Sequence, residues 1–261
     1  MRGQPCCEAV LSGTGYPAGV NGTRHLVLGA TGGIGAALVR RLRSAGAEVV
    51  AVARSDERLA ALASETGCST VVVEDAASAE AVEAAVAGAG RLDGLANCIG
   101  SLLLKPAHAT SDADLRAVLD ANLVSAFNAV RSGAKAMQSQ GGGSIVLVSS
   151  AAARAGLANH EAIAAAKGGV IGLTLSAAAT YAPKQVRVNC VAPGLVRTPM
   201  TERIWSSDAA LQASVAMHAL GRIGEPDEVA AAIAFFLDPA NAWITGQVLG
   251  VDGGLGSIRP R

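Results

Sequence analysis

"HLVLGATGGIG", His25 to Gly35, is the stretch on which the reading of the fold turns. A short run of Leu and Val enters a loop with glycines at 29, 32, 33 and 35. Beyond it Ile34, Leu38 and Leu42 recur at the spacing of one helical face. A strand, a tight glycine turn and a helix in that order open a dinucleotide-binding βα unit. Glycine matters because backbone must approach a pyrophosphate, while the helix N-terminus offers free N–H groups and the positive end of its dipole. The spacing is G-x-x-x-G-x-G rather than G-x-G-x-x-G, and the same turn also suits a strand-to-helix connection with no ligand. The phosphate-contact candidates are Gly29, Thr31, Gly33, Ile34 and Gly35.

Working outward, six more strand candidates follow: "AEVVAVA", "STVVV", "DGLANC", "SIVLVSS", "QVRVNCVAP" and "QVLGVDGG". Alanine-rich segments of helical period separate them, "AEAVEAAVAGAG" being weakly amphipathic. Ser111 with Asp114 predicts a capping box, and Pro226 with Asp227 and Glu228 suits a first helical turn. Regular β-then-α alternation implies right-handed crossovers and a parallel sheet covered on both faces. The expected fold is a doubly wound α/β Rossmann sheet in one domain, residues 24–261. Residues 1–23, rich in Gly, Pro and Ser, are expected to form a flexible N-terminal arm.

At 261 residues the chain can bury a sizeable core but not two ordinary catalytic domains. No unbroken apolar run reaches the roughly 18 to 20 residues of a membrane span, so no membrane partner is expected. Lys+Arg and Asp+Glu both total 21, leaving no basic field for nucleic acid or anionic lipid. The odd set Cys6, Cys7, Cys68, Cys98 and Cys190 contains no C-x-x-C pair, so neither a disulfide framework nor a metal site is expected. Cys98 and Cys190 read as small buried hydrophobes. The N-terminus lacks the charged and apolar regions of a secretory signal, and the expected location is cytoplasmic.

The second strand ends in Ala53, followed by Arg54 and Ser55. Dinucleotide folds often place an acid there to hold the adenine ribose 2′-hydroxyl. Here no carboxylate repels a 2′-phosphate, and Arg54 can pair with one through its fork of donors. That predicts NADP(H) in preference to NAD(H); the alternative is that Arg54 merely caps a surface turn.

Taken together these residues resemble the short-chain dehydrogenase/reductase family, over about residues 24 to 256. "LGATGGIG" looks like its glycine motif, with Leu28 where threonine is common, and "VVVED" puts Asp75 where the family contacts adenine. "NCIG", Asn97 to Gly100, stands in for N-N-A-G and departs at two positions. "LDANLVSAFN" supplies Asn122, the family's active-site asparagine. "VNCVAPGLVRTPM" carries the Pro193-Gly194 turn and Thr198 that border the nicotinamide. "GRIGEPDEVAAAIAFFLDPANAWITGQVLGVDGG" is similar to the C-terminal signature.

The resemblance implies an Asn, Ser, Tyr, Lys catalytic set with Tyr four residues before Lys and Ser thirteen before Tyr. Counting gives Asn122, Ser150 and Lys167, but Ile163 at the tyrosine position. Tyr16 and Tyr181 lie too far along the chain to replace it. A phenol near pKa 10, lowered by a neighbouring ammonium, would give the proton that hydride delivery to a carbonyl requires. Ile163 has none. His160, three residues earlier, is the visible substitute: it can donate a proton, bind a substrate carboxylate or cap the helix start. Two functions stay open. One is an NADP(H)-dependent oxidoreductase with altered acid chemistry on a small carbonyl, enone or imine. The other is an NADP(H)-binding regulatory or structural subunit without turnover. Lys167 is expected to hold the nicotinamide ribose in either case. The family also pairs helices across two-fold axes, which implies a homo-oligomer, tetramer or dimer, joined through "LDANLVSAFNAVRSGAKAM" and "AIAAAKGGVIGLTLSAAATYA".

Overall fold

In the computed structural model, residues 19–258 are described. All seven expected strands are present, in one parallel sheet of order β3-β2-β1-β4-β5-β6-β7. In chain order the elements are β1 (Arg24–Leu28), α1 (Gly33–Ser44), β2 (Glu48–Ala53), α2 (Asp56–Thr66), β3 (Ser69–Val72), α3 (Ala79–Gly88), β4 (Gly94–Asn97), α4 (Asp112–Leu119) and α5 (Ser125–Ser139). They continue with β5 (Gly143–Val148), α6 (Glu161–Tyr181), β6 (Val186–Pro193), α7 (Glu202–Trp205), α8 (Asp208–Met217), α9 (Pro226–Leu237) and β7 (Val248–Val251). The crossover between β3 and β4 puts the topological switch beside β1, where such sheets open a crevice at their carboxyl ends.

Strand residues alternate between the two faces, as the period of two demands. Leu26, Leu28, Val50, Leu95, Ile145 and Leu147 pack beneath α3, α5 and α6. Val27, Val49, Ala51, Ala96, Val146 and Val191 pack beneath α1, α2 and α9. Leu38 and Leu42 are fully buried on α1, and Ile34 is partly so. The capping box at Ser111 forms in both directions with Asp114, and Pro226 sits in the first turn of α9.

One expectation stands and another needs amending. α6 with its short extension, Glu161–Lys184, has the length and mean hydropathy, 1.5, of a membrane span. The expectation that no unbroken apolar run spans a membrane stands, because Lys167, Thr174, Ser176 and Thr180 interrupt this row of small apolar residues. In the fold Ala166, Val170, Thr174, Ala177 and Ala178 of this helix are buried, and α6 packs against the sheet as a core helix. The N-terminal arm is expected to reach residue 23, yet Val20 joins the core and the Gly22 N–H donates to the Gly46 carbonyl (3.2 Å). Residues 1–18 of the arm, with Cys6, Cys7 and Tyr16, lie outside the described residues. Of the other cysteines, Cys190 and Cys68 are buried, whereas Cys98 is half-buried.

Candidate active site

Most cofactor candidates lie at or just after strand ends on the carboxyl edge of the sheet, while Asn122 and Lys167 come from a π-turn and a helix. After β1, Gly29 takes φ +76°, a conformation that L side chains rarely adopt. A Cβ there would lie 2.9 Å from the Cys98 carbonyl carbon and the Ile99 nitrogen. On Gly33 it would lie 2.7 Å from Thr198 Cγ2, and on Gly35 it would collide with the Gly29 carbonyl. No side chain caps α1, whose N-cap is Gly32. The result is a bare helix N-terminus behind a loop with no room for side chains, which fits a diphosphate in both shape and charge.

The second strand delivers Ala53, Arg54 and Ser55 beside that loop. Arg54 is exposed, while Ser55 caps α2 by accepting the Arg58 N–H at 3.3 Å. After β3, exposed Asp75 accepts the Ala77 N–H at 2.8 Å. After β4, buried Asn97 receives the Ile99 N–H (3.2 Å) and reaches the Ser125 hydroxyl (3.4 Å). After β6, Pro193 closes the strand, Gly194 donates to the Val251 carbonyl (3.2 Å), and Thr198 packs on Gly33.

The second group of candidates closes around Gly100. Asn122 sits in a π-turn, Asp120–Val124, between α4 and α5. Such widened turns concentrate at functional sites. Its amide donates to the Val118 carbonyl (2.9 Å) and the Ser101 hydroxyl (3.0 Å), and its oxygen receives the Ser101 N–H (3.2 Å). A Cβ on Gly100 would lie 3.0 Å from Asn122 Oδ1 and 3.4 Å from Lys167 Nζ, so both side chains border this glycine. Lys167 Nζ donates to the Val148 carbonyl (2.7 Å), and Ser149 Oγ donates to the Lys167 carbonyl (2.8 Å). Ser150, the next residue, accepts the Ala152 N–H (3.1 Å).

Burial lowers the pKa of Lys167 to about 8, with partial opposition from Cys190 and Cys98. Burial also pushes those two thiols up, to about 11 and about 12. Lys167 thus has no carboxylate in ion-pair contact among the described residues, and its thiol neighbours are neutral at pH 7.

Ile163 is 3% exposed and packs with Val118, Ala162 and Ala166, against which Leu102, Leu103 and Leu119 rest. His160 occupies the N-cap position of α6 without capping it through its side chain. Its Nδ1 lies 2.7 Å from the Ala158 carbonyl, which selects the Nδ1–H tautomer and leaves Nε2 as an acceptor. Of the three roles open to His160, side-chain capping is therefore not the one adopted. The loop carrying Leu102 and Leu103 is tied across the site by Lys105 N–H donating to the Asn159 carbonyl (2.8 Å). Two residues escaped the reading of the sequence. Ser101 holds Asn122, and Arg58 reaches from α2 to the Thr31 carbonyl in the glycine loop.

Comparison with known proteins finds relatives over most of this chain. A family model described as enoyl-(acyl carrier protein) reductase matches residues 29–256. A tropinone reductase homolog of Arabidopsis thaliana is 35% identical over 242 residues, 89% of this chain and 92% of the relative. L-xylulose reductase of Bos taurus is 38% identical over 242 residues, covering 89% and 96%. A short-chain type dehydrogenase/reductase structure from Mycobacterium ulcerans superposes with a TM-score of 0.88 at 30% identity, covering 93% of this chain and 92% of that one.

Proposed function

The chain belongs to the short-chain dehydrogenase/reductase family, and on that membership we propose that it is an NADP(H)-dependent oxidoreductase with altered proton-donor chemistry. Its substrate is a small carbonyl, enone or imine compound with an apolar body. The observation that carries this reading is that Asn122 Oδ1 and Lys167 Nζ both border Gly100, while Ile163, one helical turn before Lys167, packs in an apolar cluster. Lys167 serves nucleotide binding in either reading, whereas a site that only bound nucleotide would have no chemical need for Asn122 beside it.

The nicotinamide cofactor, when bound, supplies or accepts the hydride. The chain's own residues do the rest. The glycine loop and the α1 N-terminus hold the diphosphate, Arg54 selects the 2′-phosphate, and Lys167 donates to the nicotinamide ribose. Ser150 donates a hydrogen bond to the substrate's polar atom, and Asn122 keeps the π-turn and Ser101 in register. Ile163, at the position of the family's tyrosine, excludes water but holds no proton. Loss of general acid catalysis lowers a rate by about 10² to 10⁴. Substrates that take their proton at carbon or nitrogen, as enones and imines do, escape part of that loss. His160 supplies a proton only as imidazolium, since its Nδ1–H is held by Ala158.

The protein is proposed to work as a homotetramer. Phe127 on α5 is 48% exposed and Leu175 on α6 52%, on the two helices expected to pair, and fully exposed Trp243 stands near edge strand β7. Paired copies would cover these side chains. Steady-state NADPH oxidation over ketone, enone and imine panels tests the function. Turnover of enones or imines above ketones supports it; no turnover of any class, with NADPH still bound, establishes the binding-subunit reading instead. Sedimentation at micromolar concentration tests the assembly, and a monomer refutes it.

A further inference from the structure

Three pieces of backbone meet where β2 ends. The N–H groups of Gly29 and Ala30 both donate to the Val52 carbonyl, at 2.9 and 3.0 Å. From the other side the Val73 N–H donates to the Ala53 carbonyl at 3.0 Å. Arg54 follows, exposed, and Ser55 then starts α2. That start puts Arg58 in the first turn, four residues after Arg54, on the side of the glycine loop. Arg58 is exposed but not free: its Nη2 donates to the Thr31 carbonyl oxygen. Among the described residues neither Arg54 nor Arg58 forms an ion pair, although Asp56 and Glu57 stand between them in sequence.

We infer that Arg58 is the second half of a two-arginine clamp, with Arg54, for the phosphate monoester on the adenosine ribose; this rests on the NADP(H) reading above. A guanidinium carries five N–H donors in one plane. Arg58 commits one to Thr31, which fixes the plane and holds the side chain beside the loop before any nucleotide arrives. The remaining donors are then presented with less rotamer entropy to lose. Two guanidiniums match a phosphate dianion, whereas a ribose hydroxyl gains little from either. The competing role is that of a splint: Arg58 would only hold the glycine loop in place, and both cofactors would need it equally.

Calorimetric titration of the full chain with NADP+ and NAD+ separates these roles without requiring turnover. Arg58→Ala is expected to weaken NADP+ by about tenfold or more, the equivalent of one charge-assisted hydrogen bond, and to leave NAD+ within about twofold. Arg58→Lys keeps the charge but not the fork and should fall between. Equal losses for both cofactors, or no loss for NADP+, overturns the clamp. If the wild type binds NAD+ as tightly as NADP+, the cofactor reading falls and the clamp with it. If the wild type prefers NADP+ and Arg54→Ala erases that preference while Arg58→Ala retains it, the clamp alone falls.

Discussion

At the β1–α1 turn the surface offered to a nucleotide is backbone, whereas at the Gly100 corner it is side chains. The first region is defined by what is missing: no Cβ fits at Gly29, Gly33 or Gly35, and no side chain caps α1. The second is defined by what is present: Asn122 and Lys167 are brought to it from a π-turn and a helix. The difference teaches how each can fail. A backbone site tolerates no added methyl group but is indifferent to most neighbouring side chains. A side-chain site can lose its reactive group in one substitution while the fold stands, because an isoleucine fills an apolar niche as well as a ring does. Under the proposed function, Ile163 in its cluster of Val118, Ala166 and the leucines is that case.

The largest effect is expected in the backbone region. Gly35→Val drives its side chain into the Gly29 carbonyl, and should abolish nucleotide binding and lower stability by about 3 kcal/mol. Urea unfolding with a parallel cofactor titration reads both. Retained binding would show that the close approach is dispensable and would erase the contrast between the two regions.

Lys167 should behave as a strained group in the free protein. Its folded pKa, about 8, lies below the ordinary lysine value of 10.5, so the folded state resists protonation. Stability of the free protein therefore rises between pH 8 and pH 10.5, and below pH 8 the full penalty of about 3 kcal/mol is present. Lys167→Met should gain up to that amount at pH 7 and lose the alkaline rise. A wild-type stability flat across that window contradicts the account of the site's charge.

His25, at the opposite edge of the sheet, gives a control of similar size. Its Nδ1 has no partner and its Nε2–H is held by Thr23 Oγ1 at 2.6 Å. Burial lowers its pKa from 6.5 to about 4, partly opposed by Asp93 and Asp238. The unfolded chain then takes up this proton more readily, so stability falls as pH drops through 6.5 and levels below 4, by about 3 kcal/mol in all. His25→Gln should flatten this acid limb and leave the alkaline limb of Lys167 untouched; a change in both would mean the two edges are coupled.

Smaller still is the loss of cofactor affinity in Lys167→Ala, about 1 to 3 kcal/mol for one charge-assisted hydrogen bond. Unchanged affinity by fluorescence titration would reduce Lys167 to a packing role and make the Gly100 corner independent of the nucleotide.

Much of this was legible in the residues. The seven strands and the glycine turn carry strong local signals, and Asn122, Ser150 and Lys167 follow from motif and count. The π-turn at Asn122 was not legible, since it depends on hydrogen bonds to Ser101 and Val118 that no local pattern announces. Nor was the bond from Arg58 to Thr31, although a basic residue four beyond Arg54 in a first helical turn was an available hint. α6 has the hydropathy of a membrane span through its alanines, yet its charged and hydroxyl residues kept it from reading as one. The role of His160 narrowed only once its side chain was seen not to cap α6, because capping is a matter of geometry that composition leaves open.

The central claim is that the fold retains the hydride machinery and lacks its acid at one side chain. Single-turnover NADPH oxidation with a simple ketone, compared between wild type, Ile163→Tyr and His160→Ala, addresses it most directly. The account predicts a slow wild type and a gain of about tenfold or more in Ile163→Tyr, short of the full 10² to 10⁴ because the ring must displace Leu102 or Leu103. It predicts a further loss in His160→Ala. A wild type that reduces ketones briskly, and that neither substitution alters, would contradict it.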